Sequence, residues 1–167
     1  MMQPNLAVMA LTALVPLITG FIWYNNKTFG TTWMRINGFT PESMKGGNML
    51  VMFGLTFLLS FFLTMPLYVL TIHQFSFQSV FQGHEGFNTE GSDIQLYISE
   101  FLAKNGSFFR TFKHGMLHGF MAGLMIATPV VGINAIFERR GFKYVAIHAG
   151  YWIVTLMIMG GIICQFG

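Results

Sequence analysis

The residues of this chain best placed to do chemistry are its histidines. His114 and His118 stand four apart, so on a helix their imidazoles share one face, a turn from each other. His73 closes an earlier apolar run and belongs to the same side of the chain's path. An i, i+4 histidine pair plus a third imidazole can hold zinc or copper, or the iron of a haem. His84 lies nearby, and Glu85 or Asp93 could complete a shell. The pair lacks the glutamate of His-Glu-x-x-His, so no metalloprotease follows. Histidines at helix ends also serve to bond carbonyls or lipid headgroups, and this pattern alone leads to no expected cofactor.

Asn134, Glu138 and His148 make a second constellation. Ionisable groups within a membrane boundary are costly and suggest a proton relay or polar gate. The plainer reading is a turn fixed by Glu138 pairing with His148, Arg139 or Arg140, with Asn134 as interhelical glue. There is no P-loop, no dinucleotide glycine fingerprint and no serine nucleophile elbow. No enzyme is expected. Cys164 is the one cysteine, which excludes an intrachain disulfide.

The elements that position these groups follow from charge. Charged residues are 9% of the 167 residues, against roughly 25% in a soluble domain. Hydrophobic residues are 53%, Phe alone numbers 19, and mean hydropathy is +0.57. This argues against a soluble, disordered or nucleic-acid-binding chain. All fifteen charges avoid residues 1–26, 46–84, 114–137 and 144–167. Each of these stretches contains an apolar run long enough for a bilayer, near 6–24, 49–73, 116–137 and 144–166. The runs are continuous rather than alternating, so they are helices and not barrel strands. The first has no basic start and no small-residue cleavage site, so it reads as a retained helix. The fold class is all-α: one domain, an integral membrane bundle of four transmembrane helices.

The connection 74–113 adds a fifth element. Ser92 and Gln95 fit a capping box, and Ile94, Tyr97, Ile98, Phe101 and Leu102 recur at helical spacing. This predicts a short amphipathic surface helix between the second and third spans. The basic residues set the orientation. Lys27, Arg35, Lys45, Arg139, Arg140 and Lys143 fall on one face, against Lys104, Arg110 and Lys113 on the other. Both termini then lie on the non-cytoplasmic side of a bacterial inner membrane.

Gly115, Gly119 and Gly123 repeat every fourth residue and Ala127 continues the line, cutting a groove along the third span. Small-residue lines let membrane helices approach closely. The groove serves either a subunit interface or packing within the chain, and it makes the third span the expected centre. Pro16, Pro66 and Pro129 fall in three of the four spans, where they can kink the helix.

Trp23 and Tyr24 close the first span, and Trp33 and Arg35 follow in the loop, as a membrane-interface motif of amphipathic rings and a phosphate-seeking cation. The full run is Gly20-Phe21-Ile22-Trp23-Tyr24, Phe29-Gly30, Trp33-Met34, Gly38 and Phe39-Thr40-Pro41-Glu42. This resembles the bacterial membrane family known as domain of unknown function 1761, most closely over residues 14–45. Later parts of the chain, His118-Gly119, Phe137-Glu138-Arg139 and His148 to Tyr151, resemble it more loosely. The resemblance implies a small four-helix membrane protein and brings no activity with it.

The first functional reading is an integral membrane protein that acts by assembly, as a homo-oligomer or a small subunit beside other membrane subunits and lipids. An oligomeric transporter or channel is the alternative. A histidine-ligated metal or haem protein is the third.

Overall fold

A computed structural model describes residues 2–167. Among these the chain is helical, with no strand. In order the helices are α1 Leu6–Thr12, α2 Val15–Trp23, α3 Gly30–Asn37, α4 Met49–Thr71, α5 His73–Ser79, α6 Asp93–Asn105, α7 Phe112–Ala122, α8 Thr128–Phe137 and α9 Phe142–Phe166. A π-helical turn, Gly123–Ala127, joins α7 to α8. Four stretches are long and apolar enough to cross a membrane: Leu6–Trp23, Met49–Thr71, Phe112–Phe137 and Phe142–Phe166. Each overlaps an expected span. The third and fourth begin earlier than expected, because Lys113 and Lys143 are absorbed into their first turns.

The three prolines have three different outcomes. Pro16 stands in the first turn of α2, just after the break from α1, and its carbonyl accepts the Tyr151 hydroxyl at 2.8 Å. Pro66 sits inside an unbroken α4. Pro129 follows the π-helical turn, in which the Thr128 N–H reaches back to Gly123 O. An i→i−5 turn relieves a ladder that proline would otherwise clash with, and such bulges recur at functional sites.

The expected centre is corrected. The fourth span, not the third, is the hub: α9 packs against α1, α2, α3, α4, α7, the π turn and α8. Half of its apolar window is buried, against 17% for the third span. The glycine line misleads because a groove has to be filled by something, and the filler is the more enclosed helix. A Cβ on Gly115 would lie 2.1 Å from Gly160 O, and one on Gly119 2.0 Å from Leu156 O. One on Gly123 would lie 2.6 Å from Ile153 Cα. The groove is therefore closed by this chain's own α9. Ala127, which ends the line, lies instead against a cluster of buried residues that includes Leu67, Ala122 and Leu156.

Polar side chains join the hub to its neighbours, as expected where packing and hydrogen bonds, not hydrophobicity, drive association in lipid. Thr19 and Thr155 meet hydroxyl to hydroxyl at 2.8 Å, and Cys164 Sγ donates to Thr71 O at 3.3 Å. The outward faces are apolar: Leu50, Phe137 and Phe142 are each more than 80% exposed.

Helix α6 covers the stretch expected to be helical. Ser92 accepts from the Gln95 N–H at 3.3 Å, but the Gln95 side chain reaches Phe87 O instead of closing the capping box. Ile98 is fully buried, and Phe101 stacks on Phe77 of α5 with ring centroids 3.9 Å apart.

Candidate metal site

The end of the molecule that carries α5 brings His73, His114 and His118 together. One nitrogen from each ring lies within 4.8 Å of the others. The Nε2 atoms of His73 and His114 are 3.0 Å apart, so one donates the shared proton and the other accepts it. Ring centroids are 4.5 to 5.1 Å apart, all edge to face. His73 is exposed, while His114 and His118 are half-buried.

Local chemistry puts each ring there. The hydroxyl of Thr111 accepts the His114 N–H at 3.3 Å, which caps α7 and fixes where its face begins. The i, i+4 spacing then stacks His118 over His114. His73 arrives by a break. Ile72 is fully buried with extended backbone (φ −110°, ψ 90°), ending α4 and starting α5. Gln74 locks the new helix by donating to Asn105 O at 2.9 Å and Phe108 O at 2.7 Å.

The loop before α7 is held from two sides. Arg110 Nε donates to Cys164 O at 2.7 Å, and its other arm reaches Gly167 O, capping the end of α9. Phe109 carries φ +61°, a left-handed conformation that costs a bulky residue about 1–3 kcal/mol and persists only where its surroundings hold it. Its ring lies 5.0 Å from that of His114 and 6.4 Å from that of His73. The strained residue thus forms an aromatic wall of the histidine cluster.

The geometry suits one transition-metal ion. Bonds of about 2.0–2.1 Å in a tetrahedral shell place ligand nitrogens roughly 3.3 Å apart. The His73–His114 pair is already near that separation, and the rest of the cluster needs to close by no more than about 1.5 Å. The separations left to close are those to His118. Three imidazoles leave a fourth position open, the arrangement of catalytic or ligand-binding metal sites rather than closed structural ones. His84, Glu85 and Asp93 are outside the group, which corrects the expected shell. The His84 ring instead bonds Glu85 O at 2.8 Å.

The other constellation does not converge in the same way. Asn134 is exposed, and Glu138 pairs with Arg140 at 3.7 Å in solvent-facing positions. His148 turns to the Tyr24 hydroxyl at 3.3 Å, and its Nε2 is buried without a partner among the described residues. The aromatic motif packs inward. Trp23 donates to Ile147 O at 3.1 Å, and Tyr24 lies 5.2 Å from both Trp33 and Tyr151. Arg35 is exposed in the last turn of α3.

Sequence reasoning passed over Gln74, Phe109 and Arg110. Arg110 had a signal, a cation just before an apolar helix. The left-handed Phe109 and the break at Ile72 had none, because neither Gly nor Pro marks them.

A family model matches residues 7–164, from the first span to near the end of the fourth, with all three histidines inside the match. The chain belongs to the family described as Protein of unknown function (DUF1761). No curated protein and no solved structure matches it.

Proposed function

We propose that this multi-pass membrane protein works through a transition-metal centre held by His73, His114 and His118 at one membrane boundary. The supporting observation is that three ring nitrogens, one from α5 and two from α7, meet within 4.8 Å. Zinc and copper are among the ions that an all-imidazole set suits. Charge asymmetry in the loops supports an orientation in a bacterial inner membrane with both termini and this cluster on the non-cytoplasmic side. The test is metal stoichiometry of the gently extracted full chain after dialysis against zinc or copper. One ion per 18.8 kDa chain, lost in the triple variant His73→Ala, His114→Ala, His118→Ala, is expected. Unchanged binding in that variant, or none in the parent, removes the proposal.

Assembly is the second reading, and it has to do without the glycine groove, which α9 fills. Exposed apolar faces remain, among them that of α4, where large apolar side chains from Leu50 to Leu70 stand exposed. Lipid covers such a face equally well, so native mass decides: multiples of 18.8 kDa support a homo-oligomer, and added mass a partner subunit. A transport pathway has less support, since Asn134 and Glu138 face outward.

A further inference from the structure

An apolar groove runs from the histidine cluster into the membrane-spanning part of the molecule. Its deep section, of about 330 Å³, lies between α4, the third span and α9, lined by Leu63, Pro66, Val130 and Trp152. A shallower section of about 160 Å³ is lined by Met121, Met125 and His118. Leu70, Ala122 and Ile126 line both, so the two adjoin. The π-helical turn and Pro66 of α4 both border the deep section.

We propose that this groove holds one long-chain fatty acid, with its hydrocarbon tail between α4 and the π-helical turn and its carboxylate at the histidine cluster. The inference rests on the metal reading for its polar end. Three features select this occupant. The lining is hydrocarbon, thioether and indole along its length, with His118 the one ionisable side chain, at the mouth. From His118 to Val131 the wall covers thirteen helical rises, about 20 Å, which fits an acyl chain crossing one leaflet of a core ~30 Å thick. At the mouth, a three-histidine ion keeps an open position and net positive charge, which a carboxylate oxygen satisfies. The volume of the deep section lies within the range of about 300–1,000 Å³ common to small-molecule sites.

Trp152 on the groove wall provides a reporter, since Trp23 and Trp33 are the other two tryptophans. The full chain, loaded with zinc in phosphatidylcholine vesicles, is titrated with dibromostearic acid, whose bromines quench indoles on contact. The expected result is saturable quenching of Trp152 fluorescence, competed by stearic acid. Phosphatidylcholine carrying the same brominated chain gives only the shallow, unsaturable quenching of bulk lipid. His118→Ala raises the half-saturation about tenfold, and Ala122→Phe, which narrows the join of the two sections, abolishes saturation. In parallel, a diazirine stearic acid labels the unmutated protein, with the label expected on peptides containing Ile126 or Trp152. Equal quenching by the acid and the brominated phospholipid, or label spread evenly over lipid-facing helices, overturns the inference. Zinc stoichiometry is read on the same samples. Bound zinc without saturable quenching refutes the fatty acid alone, and absent zinc refutes the metal reading itself.

Discussion

A single methyl group added at Gly119 should separate the two most closely packed spans. Its Cβ would stand 2.0 Å from Leu156 O, 2.6 Å from Leu156 C and 2.8 Å from Met157 Cα. All three are backbone atoms, so no side chain can swing aside. The helices must part by about 1.4 Å before ordinary contact returns. A radial gap of about 1 Å already forfeits up to half of a dispersion well, and this pair is packed along its whole shared length. Overpacking costs about 1–3 kcal/mol, and rigid backbone on both sides puts Gly119→Ala at or above the upper end. Gly132→Ala is the control. It sits in the same span with open space around its Cβ, and it loses nothing but glycine's helix penalty. Unfolding free energy measured in bicelles should fall by about 3 kcal/mol for Gly119→Ala and stay level or rise for Gly132→Ala. Because α7 carries His114 and His118, zinc affinity should fall with the first variant only. Equal stability of the two variants would refute the close-packing argument. So would a loss confined to oligomer mass with the single chain unchanged.

Four further outcomes follow from the site and the packing around it. His114→Ala should weaken zinc by at least about 100-fold, the upper range for outer-shell changes, as read by competition with a chelating dye. Zinc affinity of the parent should fall as pH drops toward about 5, because imidazole binds metal only when neutral and protons compete for each ring; a flat profile in a zinc titration across that range would exclude histidine ligation. Arg110→Met should cost about 1.5–3 kcal/mol, since it removes a charged donor from two carbonyls at the end of α9. Thermal unfolding followed by circular dichroism reads this loss, and an unchanged midpoint would mean the clamp is not formed. Thr155→Val should cost no more than about 0.6 kcal/mol, the mean for a hydrogen bond between membrane helices, in the same bicelle assay.

Much of the architecture could be read from where charge is absent. Four apolar runs sufficed to find the four helical stretches long and apolar enough to cross a membrane, and the capping serine found the start of α6. Ends shifted because lysine stems are apolar enough to extend a helix by a turn, as at Lys113 and Lys143. The histidine cluster was legible in part. The i, i+4 pair is local and periodic, but which third residue joins it depends on where a chain returns after 40 residues. Charge suggested Glu85 and Asp93, and tertiary geometry chose only His73. The hub was misassigned because a line of glycines marks one half of a contact. The complementary half, Gly160 beside Leu156 and Ile153 on α9, has no matching line of small residues. The aromatic motif was placed correctly at the end of the first span, but its direction was not readable. Tryptophan and tyrosine suit a headgroup layer and a helix-packing seam alike, and here Trp23 bonds the carbonyl of Ile147.

The position of α9 in the order of synthesis has a consequence for how the protein comes into being. The helix on which the others pack is the last of the four to leave the ribosome. Until it arrives, the three earlier apolar stretches lack their common partner, and the trough along Gly115, Gly119 and Gly123 lies open. Translation at roughly 5–20 residues per second leaves that interval at a few seconds between Phe137 and Phe166. Nascent chains stalled within it should be the species that membrane chaperones bind and membrane proteases remove, with completion of the fourth span ending their susceptibility.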